Sequence, residues 1–184
     1  MALARRLSLL LLLGLCPGWH VLAAQDSDAV EQRVKAAYLY RFASYVEWPS
    51  ASFTAPDTPL TIAVLGDDAL AADLDAVVAG RTVNDRRVVV RRPKAGDSLA
   101  GTHVLFVARG ESALVPELAK TAQSQSILLV TDSAGALSQG SVINLVVLDR
   151  HVRFEVSLES ATKSNLKLSS RLLAVATQVR SEGE

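Results

Sequence analysis

Residues 60–80, LTIAVLGDDALAADLDAVVAG, decide the fold class because they place a buried strand directly before a helix. The apolar run at 60–65 is followed by a Gly-Asp turn, which is typical of a strand covered on both faces. At 69–79 apolar side chains recur with helical spacing, and Gly80 can end a helix. A strand followed by a helix is the unit from which parallel α/β sheets are built.

The same alternation continues downstream. We expect strands at residues 86–92, 104–108 and 127–131, and a helix at 112–124 that holds Pro116 in its first turn. Strands that alternate with helices predict a mostly parallel central sheet flanked by helices. The fold class is therefore α/β.

The C-terminal third has a different pattern. Residues 142–148 and 152–157 are strand-like and only three residues separate them, so they predict a β-hairpin, which we place at one edge of the sheet. We expect a helical tail at 159–179 after the hairpin, with a break at Asn165 and a cap at Ser169 for its second part. Val175 and Val179 belong to the packed face predicted for this tail.

An amphipathic helix is expected near the start of the domain. Apolar residues at every fourth position predict its buried face: Val30, Val34, Tyr38 and Phe42. Charged residues such as Lys35 fall between them and predict the solvent-facing side. Pro49 stops the helix near Trp48, since the residue before a proline disfavours helical geometry.

The first 23 residues carry the features of a cleaved signal peptide. Arg5 and Arg6 precede a short apolar run at 7–15, and the small residues around Ala23 mark a cleavage point. The run is shorter than the roughly 20 apolar residues that span a bilayer. We therefore expect export to the periplasm and a single mature domain at 24–184.

Cleavage at that point changes the composition. The full chain has 19 basic and 19 acidic residues, and loss of Arg5 and Arg6 leaves 17 basic residues and a net charge of −2. A charge this close to zero gives no field that attracts nucleic acid. Cys16, the one cysteine in the chain, is lost as well. The mature domain therefore cannot form a disulfide and depends on its buried core for stability.

The sequence holds no catalytic or phosphate-binding motif. A G-x-S-x-G elbow, a P-loop and a G-x-G-x-x-G turn are all absent, and His103 and His151 lack neighbours at metal-ligand spacing. We therefore expect neither an enzyme nor a cofactor. Polar residues at the ends of predicted strands, Asp67, Arg109 and Asp132, either cap the following helices or line the pocket of a periplasmic small-ligand binding module, our alternative function.

Two stretches at opposite ends of the domain resemble the YfiR family of periplasmic regulators. The first is VKAAYLYRFASYVEWP at residues 34–49. The second begins at Gly140, includes INL at 143–145 and VRFEVS at 152–157, and ends in LKLSSRLL at 166–173. Their order and spacing extend the resemblance over residues 30–179.

The resemblance implies a function. Members of this family repress a membrane-bound diguanylate cyclase by binding its periplasmic part, so that cyclic-di-GMP stays low and biofilm formation is restrained. We expect the cyclase as the main partner, and keep an outer-membrane lipoprotein and a second copy of this chain as further partners. The mature chain lacks the cysteine pairs of some members, so disulfide control is not transferred to it. It also has Ser157 where asparagine is expected in the family, so a site that uses that side chain is not transferred either.

Candidate contact residues lie in both resembling stretches. Five of the nine aromatic residues fall within 38–48, and one helix cannot bury all of them, so some could anchor a partner while the others are core. Arg153 and Glu155 are two apart in a strand and therefore face the same side. The candidates for partner binding are Tyr40, Arg41, Trp48, Arg153 and Glu155.

A small polar pocket is expected beside this charged pair. Its candidate residues are Asn144, Asn165 and Ser169. The alternative is that such residues only stabilise the hairpin and cap the last helix.

Overall fold

The computed structural model describes residues 19–181, with side chains from Asp28 onward. Residues 1–18, which hold the charged and apolar parts of the predicted signal peptide, lie outside the described residues. Within the described part, no helix combines the length and the apolar character needed to cross a bilayer.

Five helices and ten strands make up the described chain. In chain order they are α1 (Trp19–Ser44), β1 (Val46–Glu47), β2 (Leu60–Leu65), α2 (Asp68–Val78), β3 (Thr82–Val83), β4 (Arg86–Arg91), β5 (Val104–Val107), α3 (Val115–Gln125), β6 (Leu128–Thr131), β7 (Ile143–Leu148), β8 (His151–Ser157), α4 (Leu158–Lys163), β9 (Lys167–Leu168), α5 (Ser170–Leu173) and β10 (Gln178–Arg180). Short 3₁₀ turns at Ser50–Ser52, Arg109–Leu114 and Ala136–Gln139 connect some of them.

Eight strands form the central sheet in the order β10-β8-β7-β6-β5-β2-β4-β3. The five strands from β4 to β7 in this order are parallel, β8 returns antiparallel to β7, and β10 runs parallel to β8. The predicted parallel sheet and hairpin are confirmed. The chain goes from β2 to β4 on one side and then to β5 on the other, so the carboxyl ends of β2 and β5 mark the position where such sheets bind ligands.

Alternate side chains of the parallel strands enter two cores. On one face, Ile62, Val64 and Phe106 pack in a cluster with α1 and α2. On the other face, Ala63 and Leu105 pack in a cluster with α3. β2, β5 and β6 are buried along their whole length, which agrees with the unbroken apolar runs that predicted them.

α1 turns a different face to the core from the one predicted. Leu39 and Phe42 are buried, but Val30 and Val34 are 53% and 37% exposed, and Lys35 is only 6% exposed. The apolar stripe of α1 is wide enough that more than one face of the helix could be buried. Packing against the sheet and α2 selects the face that includes small alanines. The helix also ends earlier than predicted because β1 follows it and pairs with β9.

The C-terminal tail is helical only in part, which corrects the prediction for residues 159–179. α4 and α5 are short, and Asn165 breaks the helix between them with a φ of 55°. Val179 pairs with Val156 as part of β10, and Val175 is 67% exposed. Because β10 covers β8, the hairpin is not at the sheet edge as predicted.

Candidate functional site

The carboxyl ends of β2, β5 and β6 carry the polar residues that the sequence places there. One oxygen of Asp67 accepts a 2.9 Å hydrogen bond from the backbone N–H of Leu70 and caps α2, and the other accepts a 2.8 Å bond from Gln32 Nε2. Arg109 Nε donates to the backbone carbonyl of Asp132 at 3.2 Å. Asp67 therefore caps the following helix, which is one of the two roles expected for it beside lining a ligand pocket.

Lys35 of α1 reaches the same end of the sheet. Its Nζ lies 2.7 Å from Asp132 Oδ2 and 2.8 Å from Glu31 Oε1. Burial lowers the pKa of the Lys35 ammonium, but hydrogen bonds to Asp132 and Glu31, together with their negative charges, outweigh burial and raise the pKa above its ordinary value. The Lys35–Asp132 pair therefore stays charged and fixes α1 to the carboxyl end of the sheet.

This ion pair involves Asp132, one of the three residues at which the sequence predicts a pocket, the others being Asp67 and Arg109. Asp132 is 8% exposed, and its Oδ1 and the Oε1 of Gln32 are buried without a hydrogen-bond donor among the described residues. The four-residue spacing from Glu31 to Lys35 is visible in the sequence as a helical ion pair. The contact from Lys35 to Asp132 spans 97 residues and leaves no such signal.

Two of the predicted contact residues are half-buried and bonded into the fold. The Tyr40 hydroxyl donates to the backbone carbonyl of Thr82 at 3.1 Å, and the Arg81 guanidinium lies 5.5 Å from the Tyr40 ring centroid. Trp48 Nε1 donates to the backbone carbonyl of His103 at 3.3 Å, and the two rings meet edge-on at 6.1 Å. Both aromatics have structural roles, and their contact with a partner stays a prediction.

His103 is a buried residue that joins three segments. Its Nδ1 accepts a 3.1 Å hydrogen bond from the Thr61 backbone N–H, so the ring proton is on Nε2, which donates to the Ser52 carbonyl at 3.1 Å. The ring stacks on Phe53 at 4.4 Å. Burial, aided by the positive charge of Arg86, lowers the pKa of His103 although the Ser52 carbonyl opposes this. The imidazole is therefore neutral at pH 7.

Arg153 and Glu155 lie on the same face of β8, where Arg153 is exposed and Glu155 is half-buried. The strand register places Asn144 opposite Glu155, and Asn144 Oδ1 accepts a 2.8 Å hydrogen bond from Thr131 Oγ1. Gln178 of β10 is the partner of Glu155 on the other side. A row of polar residues thus crosses four strands on one face of the sheet. Their sequence neighbours along β7 and β8 point to the opposite face and belong to the core that includes α1.

The other two residues of the predicted polar pocket lie elsewhere. Asn165 is exposed in the turn after α4, and the Ser169 side chain caps α5. Leu168, next to Ser169, packs on the α1 side of the sheet. Asn144 faces the opposite side, so the structure does not gather these three residues, and for Ser169 it shows the capping role that was the alternative.

An apolar ridge on the outer side of α1 is a feature that the sequence pattern does not reveal, because the helical spacing assigns its valines to the core. Val30 and Val34 stand between two grooves of about 430 and 510 Å³. The first groove is bordered by Arg33, Ala37, Tyr38 and Arg41, and the second by Glu31 and by Val147, Arg150, His151 and Val152 at the end of the hairpin. We call the two valines with these two grooves the α1 ridge.

A search of curated proteins found no match to this chain. Among solved structures, the chain is similar to a conserved domain protein from Vibrio cholerae O1 biovar El Tor strain N16961, with 11% sequence identity and a TM-score of 0.51. The match covers 65% of this chain and 54% of that one, so this chain spans about half the length of its structural relative. At this identity the likeness bears on the fold alone.

A family model described as YfiR/HmsC-like matches residues 32–177. That range contains the carboxyl end of the sheet with its ion pair, the hairpin and most of α1. Proteins of this family are periplasmic regulators of diguanylate cyclases. The match covers well over half of the sequence, and the chain belongs to the YfiR/HmsC-like family.

Proposed function

We propose that this protein represses a membrane-bound diguanylate cyclase by binding the cyclase's periplasmic part, which keeps cyclic-di-GMP low and restrains biofilm formation. Family membership over residues 32–177 supports a periplasmic regulator. The observation that carries a macromolecular partner is the α1 ridge, an exposed apolar surface bordered by arginines. The Lys35–Asp132 pair meanwhile lies at the carboxyl end of β6, beside β5, whose carboxyl end is part of the position where α/β folds usually take small ligands.

Repression of this kind needs only differential affinity. A protein that binds the inactive state of the cyclase more tightly than the active state shifts the equilibrium toward the inactive one. Moving that equilibrium from 1:99 to 99:1 takes a preference of about 10⁴-fold, which is about 5.5 kcal/mol. An outer-membrane lipoprotein that competes for the repressor would release the cyclase by mass action.

The test is a deletion of the gene, scored for intracellular cyclic-di-GMP. We expect the level to rise and to fall again when the full-length gene is restored. A version without residues 1–23 should not restore repression, because it stays in the cytoplasm. An unchanged level after deletion would overturn the proposed function.

A small-ligand binding module is the second candidate. It is favoured by two buried oxygens, Asp132 Oδ1 and Gln32 Oε1, which have no donor among the described residues. The backbone carbonyl of Asp132 also accepts a hydrogen bond from Arg109. A ligand with hydrogen-bond donors could pair with these oxygens. Thermal unfolding of the purified domain in the presence of polar metabolites tests this: a rise in Tm that Asp132→Asn abolishes would support the module, and no rise would leave the regulator.

A further inference from the structure

We infer that the α1 ridge is the surface that contacts the cyclase, and that it takes a periplasmic segment in which apolar side chains are flanked by carboxylates. This inference rests on the proposed function and adds to it the binding surface and the chemistry of the partner.

Exposed apolar side chains are concentrated at the α1 ridge. Five large apolar side chains are exposed among the described residues, and three of them, Val30, Val34 and Val147, border the two grooves. Contiguous exposed apolar surface rimmed by polar residues marks an interaction site more often than isolated exposed residues do. A ridge with a groove on either side lets a partner bury the valines from two directions.

The border of the ridge is basic. Arg33 and Arg41 line the first groove and Arg150 the second, and none of the three forms an ion pair within the described part of the chain. Glu31, which also lines the second groove, is already paired with Lys35. A carboxylate on a partner would therefore meet arginines without displacing an internal ion pair, and guanidinium groups bind carboxylates through two parallel hydrogen bonds.

The ridge is also held in place before a partner arrives. Tyr38 stacks on Phe42 at 5.5 Å, and both rings meet Phe154 of β8, at 5.6 and 5.0 Å between centroids. The Lys35–Asp132 pair fixes the same helix to the end of the sheet. A preorganised surface loses less conformational entropy on binding, which favours affinity.

Charge disfavours a second copy of the chain on this surface. In a two-fold dimer the same patch meets itself, so Arg33, Arg41 and Arg150 of one copy would face those of the other. Like charges brought together across an interface cost affinity. An acidic segment of the cyclase avoids this cost.

The test restores full-length variants to the deletion strain and measures cyclic-di-GMP against the amount of exported protein. Val34→Glu should raise the amount needed for repression by at least about tenfold, or about 1.4 kcal/mol of binding free energy. Val34→Lys should lose less, because its charge suits an acidic partner, and Arg41→Glu should also weaken repression. Val175→Glu is the matched control, since Val175 is more exposed than Val34 but borders neither groove.

Each outcome decides the assignment. Normal repression by Val34→Glu and Arg41→Glu, in a strain where deletion raises cyclic-di-GMP, overturns the surface but leaves the proposed function. No rise on deletion overturns both. Two measurements on purified protein identify other occupants: a dimer that Val34→Glu dissociates in sedimentation velocity assigns the ridge to a second copy, and flotation with phosphatidylglycerol vesicles that Arg41→Glu abolishes assigns it to a membrane. Either result overturns the inference.

Discussion

Replacing Lys35 by methionine should destabilise the domain more than any change to a surface ion pair. The substitution keeps most of the length of the side chain but removes the ammonium that lies 2.7 Å from Asp132 Oδ2. Asp132 is 8% exposed and its Oδ1 already lacks a donor, so Lys35→Met leaves a buried carboxylate without a partner. Glu31 adds little to the loss, because its side chain is 31% exposed and water can replace the ammonium.

The expected magnitude follows from burial. Removing one partner of a buried ion pair costs about 3–5 kcal/mol, against a total stability of roughly 5–15 kcal/mol for a domain. In a domain of this size each kcal/mol lowers Tm by about 2–4 °C, so the decrease should be roughly 6–20 °C. Arg92→Met, which breaks a pair with Asp75 whose side chains are 40% and 50% exposed, should cost less than about 1 kcal/mol.

Urea unfolding of the domain that starts at residue 24 measures both changes. Trp48 is the one tryptophan left in that chain, and its contact with His103 makes its fluorescence sensitive to unfolding. The double variant Lys35→Met/Asp132→Leu should regain much of the loss, because an apolar pair replaces a buried ion pair at little cost. The reasoning is refuted if Lys35→Met costs no more than Arg92→Met, or if the double variant is less stable than Lys35→Met alone.

Three further changes can be measured by the same urea titration. The free energy of unfolding should fall as the pH drops below about 6.5, by up to about 1.4 kcal/mol per pH unit. The reason is that burial lowers the pKa of His103 in the folded state, so the unfolded chain binds the proton first. His103→Gln should lose this dependence on pH. Gly140→Ala should lower the free energy of unfolding by roughly 2 kcal/mol or more, because φ is 102° there and an added Cβ would lie 2.7 Å from the Cβ of Ala119. In the control Gly101→Ala the added Cβ meets open space, so the loss should be only about 1 kcal/mol. Ser157→Ala should cost about 1 kcal/mol through loss of the α4 cap, and no loss would contradict that role.

Elements with strong local signals could be predicted from the sequence. The strand at 60–65 is found as β2 with the same bounds, and the helix at 69–79 is found as α2 within one residue at each end. Apolar runs, capping side chains and glycine stops act on residues close in sequence, so a local pattern is enough to find them. The hairpin of β7 and β8 is predictable for the same reason.

Very short strands could not be predicted in this way. β1 and β9 have two residues each, and Val46 of β1 pairs with Leu168 of β9 far along the chain. β10 has three residues and takes its position from β8. A segment of two or three residues is too short to show a period, and its conformation depends on the strand it meets.

The sequence by itself determined the α/β class, the strand-to-helix units and the presence of an amphipathic first helix. Only the tertiary structure decided which face of that helix is buried. The sequence pattern places both Val34 and Phe42 on a packed face, but in the structure Phe42 is buried and Val34 is exposed. Which face of α1 is buried depends on Asp132. Its carboxylate pairs with Lys35 at the end of the sheet, and this allows the face that carries a charged residue to be buried. That long-range contact leaves Val30 and Val34 on the surface, and so creates the α1 ridge.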